Sequence, residues 1–309
     1  MIKEIIDKLV ALLAVSALLA SCSESELWQN PQTEARDGYI MLNFKTEIPA
    51  MQEVVTRAVD PDGGGVQDMT LFCFDSYGLF ISTVKAGVTV QKPGPGEMEG
   101  TFKAEVPENT RTIHFLANQN MDEFKEDSFR NKSESEVMAV LEGSSGRMIY
   151  WGRFACDAGN DSNIAEQMAT SGNSVKLIRN HARISVDNPD NNGHIVITGF
   201  AVCNTNAFGT VAPHHPKKGF DFTWPSSDDP FVTLPVNDAK MSDITDVTSS
   251  MNQYVFECEN SADAPVSVIL RGHLPDQDEE KYYRVLLVDD KGEQLLVRRN
   301  HHYKLHIEG

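Results

Sequence analysis

The chain has 309 residues and a formal net charge of −18, from 45 Asp and Glu against 27 Lys and Arg. That charge is spread along the chain with no basic cluster, which excludes a phosphate-binding stripe and makes nucleic acid no partner. With 40% hydrophobic and 23% charged residues the composition is that of a globular chain with a real core. About 288 residues follow an N-terminal leader, enough for two domains of ordinary size.

The leader spans residues 1–21. Lys3 and Lys8 precede an apolar run from Leu9 to Leu19, too short for a membrane helix, which takes ~20 residues. A basic start, an apolar segment and a small-residue site make a secretory signal. Leu19-Ala20-Ser21-Cys22 resembles the lipobox of bacterial lipoproteins. The resemblance implies cleavage before Cys22 and lipidation of its thiol, where each buried methylene adds ~0.8 kcal/mol of anchoring. Ser23-Glu24-Ser25-Glu26 resembles the export signal that sends Bacteroidetes lipoproteins to the outer face of the outer membrane; read bare, it is a solvated acidic spacer. Residues 22–37 are expected to be a tether.

Gly38 to Thr46 alternates, with Ile40, Leu42 and Phe44 on one face, and predicts a half-buried strand. A loop follows from Glu47 to Gln67, containing Pro49, Arg57-Ala58, Pro61 and Gly63-Gly64-Gly65. Met69 to Phe74 is apolar on both faces and predicts a central strand. Asp75-Ser76-Tyr77-Gly78 then turns it into a hairpin partner from Leu79 to Val84. Lys92 to Gly100, with two prolines and three glycines, predicts loop. Thr101 to Val106 and Thr112 to Ala117 predict strands. Ser133 and Glu136 form a capping box that opens a helix carrying Val137, Met138, Val140 and Leu141, stopped by Gly143. Met148 to Phe154 returns to strand.

Asp157 to Asn173 is polar and is expected to join the domains. Strands are expected near 175–186, 195–203, 231–236, 253–259, 265–272, 282–288, 294–298 and 302–307. Many short strands with turn residues between them and few helices imply β-sandwiches. Cys73, Cys156, Cys203 and Cys258 show no C-x-x-C spacing; the strand-like settings of Cys73 and Cys203 favour free thiols.

Several stretches together resemble the fimbrillin family of Bacteroidales. They are Thr56-Arg57-Ala58, Met69 to Asp75 closing on Gly78, His114 to Asn118, Leu177 to Val186, Tyr282 to Val285 and Arg299 to Ile307. The resemblance implies a mainly β fold of two tandem transthyretin-like sandwiches, 38–170 and 171–309, with one or two short helices in the first. It implies a structural or adhesive fimbrial component, anchored by lipid and exposed on the outer membrane, partnered by other subunits through strand exchange and by host or bacterial surface ligands. In that family a first strand is removed by cleavage after an arginine, and a neighbour's strand fills the groove. Arg57-Ala58 matches that site and lies in a loop a protease can reach; an uncut loop with the strand docked is the alternative. Cutting at Arg36 instead would free no strand. The groove is expected beside Met69–Phe74. Only Glu308 and Gly309 follow the closing strand, too few to donate a strand of ~5–6 residues. The expectation is therefore a chain cut short, an acceptor that sits at one end of a pilus, or donation by 302–307 itself.

Enzyme motifs are lacking: there is no G-x-S-x-G, H-E-x-x-H or P-loop pattern. His214-His215 and His301-His302 are adjacent pairs, which point to opposite faces of a strand and chelate poorly. Asp60-Pro61-Asp62-Gly63 lacks the spacing of a calcium loop. No cofactor or metal is expected. The rivals are a carbohydrate-binding surface lipoprotein of a glycan-uptake system, favoured by exposed aromatics clustered on one face, with Trp151 and Trp224 as candidates, and an exported hydrolase, which needs a pocket of perturbed carboxylates.

Overall fold

The computed structural model describes residues 35–49, 52–53, 66–93, 98–122, 124–144, 148–187, 195–214, 219–220, 222, 252–263, 265–289 and 291–307. The first elements are β1 (Tyr39–Glu47), β2 (Gln52–Glu53), β3 (Met69–Phe74), β4 (Phe80–Lys85), β5 (Gly87–Pro93), β6 (Met98–Pro107) and β7 (Thr112–Ala117). Then come helix α1 (Glu134–Val140), β8 (Glu142–Ser144), β9 (Tyr150–Ala155), helix α2 (Ile164–Thr170), β10 (Ser174–Lys176) and β11 (Ile178–Arg179). The chain continues with β12 (His181–Asp187), β13 (Val196–Cys203), β14 (Phe208–Thr210), β15 (Asn252–Phe256), β16 (Ser267–His273), β17 (Lys281–Leu286) and β18 (His301–His306).

Two sheets face each other in the first sandwich, ordered β10-β1-β6-β5 and β11-β9-β7-β3-β4. Their period-2 faces interlock: Leu42 and Phe44 of β1 and Phe102, Ala104 and Val106 of β6 meet Leu71, Cys73, Ile113 and Phe115 of β3 and β7. The second face of the five-stranded sheet is covered too. There Phe72, Phe74, Leu116 and Trp151 pack under Phe129 and under Val137 and Met138 of α1. Double cover is why every residue of β3 and β7 is buried and why both read as continuous apolar runs. The Ser133–Glu136 capping box forms as expected. In the β3–β4 hairpin, Asp75 Oδ1 accepts from Tyr77 and Leu79 N–H, and Gly78 takes φ +72°.

The second sandwich stacks a four-stranded sheet, β15-β12-β18-β2, on a three-stranded one, β13-β16-β17. Ala182, Ile184, Tyr303 and Leu305 meet Phe200, Val202, Val268 and Leu270 between them. A two-stranded sheet of β8 and β14 ties the sandwiches together.

Four expectations change. Asp157–Asn173, expected as a polar junction, holds α2, whose Ile164, Ala165 and Met168 enter the first core. Its Asn163–Glu166 capping box is the start signal a polar-composition reading overlooks. The strand expected over 175–186 is three: β10 joins one sheet of the first sandwich, β11 the other, and β12 the second sandwich. The loop expected over Lys92–Gly100 narrows, because Pro93 pairs with Met98 on an edge strand, where a missing N–H costs nothing. Residues 294–298 form only isolated bridges, Cys258–Val297 and Val288–Gln294, and 231–236 lie outside the described residues.

Candidate assembly site

Strand β1 is the piece of the first core that precedes Arg57 in sequence. It pairs antiparallel with β6 from Tyr39–Pro107 to Thr46–Gly100, and parallel with β10 only at Lys45–Ser174, Thr46–Val175 and Glu47–Lys176. Phe44 stacks on Phe102 at 5.6 Å between centroids and meets Phe115 edge-on at 5.0 Å. Its near end is pinned by Arg36, which donates from Nε to Glu105 Oε2 at 2.7 Å and lies over the Tyr39 ring. At its far end the Leu177 N–H donates to the Glu47 carbonyl.

The expected groove beside β3 is not there, because β3 is paired on both sides, by β7 and β4. Withdrawal of β1 opens the facing sheet instead, between β6 and β10. The alternation of Ile40, Leu42 and Phe44 identifies the strand in the sequence, but no local pattern says which strands it lies between.

Beyond β1 the chain crosses to the second sandwich. Ile48 is buried in the first core. The Pro49 carbonyl accepts from Arg179 Nη1 at 2.5 Å, and the same nitrogen donates to Asn300 Oδ1 at 2.6 Å. Next, β2 pairs parallel with His301 and His302 of β18. The segment that holds β1 and β2 thus contributes to both sandwiches.

The junction beneath this crossing is polar and buried. Arg299 donates to Glu257 from Nε at 2.7 Å and again from Nη2, and to the Val211 and Thr210 carbonyls at 2.9 and 3.0 Å. Gly143 of β8 faces Gly209 of β14. A Cβ at Gly209 would overlap the Phe256 ring, and one at Gly143 would stand 2.6 Å from Asn180 Nδ2. Phe256 in turn stacks on His181 at 4.2 Å. Burial, with the Arg299 charge second, pushes the His181 imidazole down to about 3. A second network lies under α1. Trp151 Nε1 donates to His114 Nδ1 at 3.0 Å, so His114 Nε2 carries the proton it shares with Glu134 at 2.7 Å, and Arg153 donates to the same carboxylate.

Of the residues singled out in the sequence, Cys22, Arg57, Ala58, His215 and Trp224 lie outside the described residues, as does Asp60-Pro61-Asp62-Gly63. Trp151 is a core residue. His301 and His302 turn apart, to the Arg299 carbonyl and the Ser185 hydroxyl. Cys73, Cys156, Cys203 and Cys258 are free thiols. Among the described residues no group of three His, Cys, Asp or Glu could hold a metal, and no helix is long and apolar enough to cross a membrane. The sequence reading missed the roles of Arg179, Asn180, Glu257, Arg299 and Asn300. The available signal was Asn180-His181 and Arg299-Asn300 inside strand-like runs, since buried polar groups need partners.

No protein-family model matches the chain, and no curated protein does. The fold is nevertheless similar to that of solved chains described as fimbrial and cell adhesion proteins. One is a candidate cell adhesion protein from Parabacteroides distasonis, 15% identical, covering 86% of this chain and 87% of that one, with a TM-score of 0.52. Another is the tip fimbrial protein Mfa3 of Porphyromonas gingivalis with a C-terminal truncation, 15% identical over 86% of this chain and 95% of that one, with a TM-score of 0.50. At such identity the likeness is one of fold.

Proposed function

We propose that the chain is a fimbrillin-like subunit of a cell-surface fimbria, adhesive in role, exported as a lipoprotein through Cys22 and joined to its neighbours by strand exchange. It is a structural protein of two domains that meet near Asn180, not an enzyme. The observation that carries the reading is β1: it gives Leu42 and Phe44, with Ile48 just after it, to a core otherwise built from residues beyond Arg57. Removing it uncovers an apolar slot with the backbone of β6 on one side, which a strand from another subunit would fill.

The test is N-terminal sequencing of assembled material, which should begin at Ala58; an intact Tyr39–Glu47 in the polymer would end the idea of opening by cleavage there. Cys22→Ser should leave soluble or unprocessed protein, and a variant that still fractionates with the outer membrane would remove the anchor. The carbohydrate-binding rival gains no such support, because the exposed Tyr39, Tyr77, Phe208, Tyr282 and Tyr283 sit on four separate elements or turns, and the neighbours Tyr282 and Tyr283 point to opposite faces of β17.

A further inference from the structure

We infer that β17 is a side-to-side docking edge for a second copy of this chain, the two β17 strands pairing antiparallel about a two-fold axis at Tyr283. This concerns the flank of the second sandwich and does not depend on strand exchange at β1.

An open edge strand is a template for pairing, and folds usually blunt it. The other edges among the described residues are blunted. Glu126 Oε1 accepts from Thr83 N–H at 2.9 Å on β4, and Leu79 bridges to Ser133. On β5 a register shift falls between Val88 and Val90, and Pro93 ends it. The edges β2, β10 and β11 are two or three residues long. The β13 and β15 edges close on each other, because Gln253 Nε2 donates to the Phe200 carbonyl at 2.5 Å and its Oε1 accepts from Val202 N–H. By contrast β17 runs six residues in unbroken register with β16, without proline or plug. It is exposed at every position but Val285, with Tyr282 at 64%.

Its free hydrogen-bonding groups can be assigned. The Leu287 N–H donates to the Val266 carbonyl across the β16 edge. Antiparallel alternation then turns Lys281, Tyr283 and Val285 toward β16, and leaves the N–H and C=O of Tyr282, Arg284 and Leu286 facing outward. A second β17 must therefore centre on Tyr282, Tyr283, Arg284 or Val285, and centring on Val285 overlaps only three strand residues. Centring on Arg284 opposes that cation to its own copy. Centring on Tyr282 overlaps only three strand residues and needs Glu280, which already accepts from Thr198 and pairs with Arg271. Centring on Tyr283 overlaps five. It sets Arg284 across from Tyr282 of the copy, a cation–π pair made twice, with Tyr283 on Tyr283 and Lys281 beside Val285. Overlap and charge together select one self-complementary register. Because the contact is isologous it closes at two copies.

The full-length chain in detergent should sediment as a reversible dimer in the micromolar range. Tyr282→Arg puts two cations opposite each other twice and should raise the dissociation constant about tenfold or more; adding Arg284→Tyr restores the pair in reversed order and should restore the dimer. Mild oxidation should link Tyr283→Cys into a disulfide dimer, and should not link the exposed control Leu274→Cys. A wild-type chain that stays monomeric, as when an unlike protein is the natural occupant, overturns the proposal. So does a Tyr282→Arg variant that dimerises unchanged, a reversed pair that fails to rescue, or equal linking at the two cysteines.

Discussion

His181 shows how one side chain couples burial to pH. Its imidazole is buried against Phe256, with Nδ1 bonded to Asn180 Oδ1 at 2.7 Å. The folded value, about 3, lies below the ordinary 6.5. A depressed histidine contributes stability that is complete above about pH 6.5 and is lost as pH falls toward 3, because only the unfolded chain takes up the proton. His114 is also lowered, by burial first, and acts in the same direction. Burial raises the Glu134 carboxyl, but the bonds from His114 and Arg153 outweigh it and hold it at about 2. Its contribution is lost between the ordinary 4.5 and that value. All three groups therefore weaken the fold on acidification. Between pH 6.5 and 4.5, His181 alone should cost on the order of 2–3 kcal/mol. Thermal melts should show His181→Gln less stable than wild type at pH 7 yet flatter across that window; an unchanged slope would remove His181 as the cause.

At the scale of elements, local pattern and outcome agree where an element has one wet face or a cap. β1 alternates and is half-buried, and α1 begins at its capping box. They part at β10, β11 and β12, which one strand-like run covers in the sequence. The division is made by partners: Ile178 pairs with Trp151, and His181 pairs with Phe256 a sandwich away. Phe44 tests the weight of β1. Phe44→Ala leaves a cavity between Phe102 and Phe115, and denaturant unfolding should register a loss of ~3–5 kcal/mol. A loss below about 1 kcal/mol, the cost of a substitution at a loosely packed site, would show that β1 is only laid on the core.

For the whole molecule the decisive feature is the buried junction. Arg299 and Glu257 are each 3% exposed and bonded to each other, and Arg299 also holds the end of β14, the strand that pairs with β8. Glu257→Gln leaves the guanidinium buried without its counter-charge, a change that typically costs ~3–5 kcal/mol. Because Arg299 also holds the Thr210 and Val211 carbonyls, calorimetry should show one unfolding transition become two as the sandwiches uncouple. A single transition at lower temperature would mean that the contacts of Ile48, Pro49 and β2 suffice to hold them together.

The amino-acid order alone determined the secretory leader pattern, the mainly β class, the separate apolar faces and the turn at Asp75–Gly78, because each depends on periodicity or on a residue's own backbone preference. Beyond the β3–β4 hairpin it carried no information on which strand lies beside which. The place of β1 between β6 and β10, the double cover of β3, the crossing of Pro49 to Arg179 and the open edge of β17 are contacts between residues far apart in the chain. Long-range pairing is settled by complementary surfaces that exist only once the sheets have formed, and so only the tertiary structure decided it.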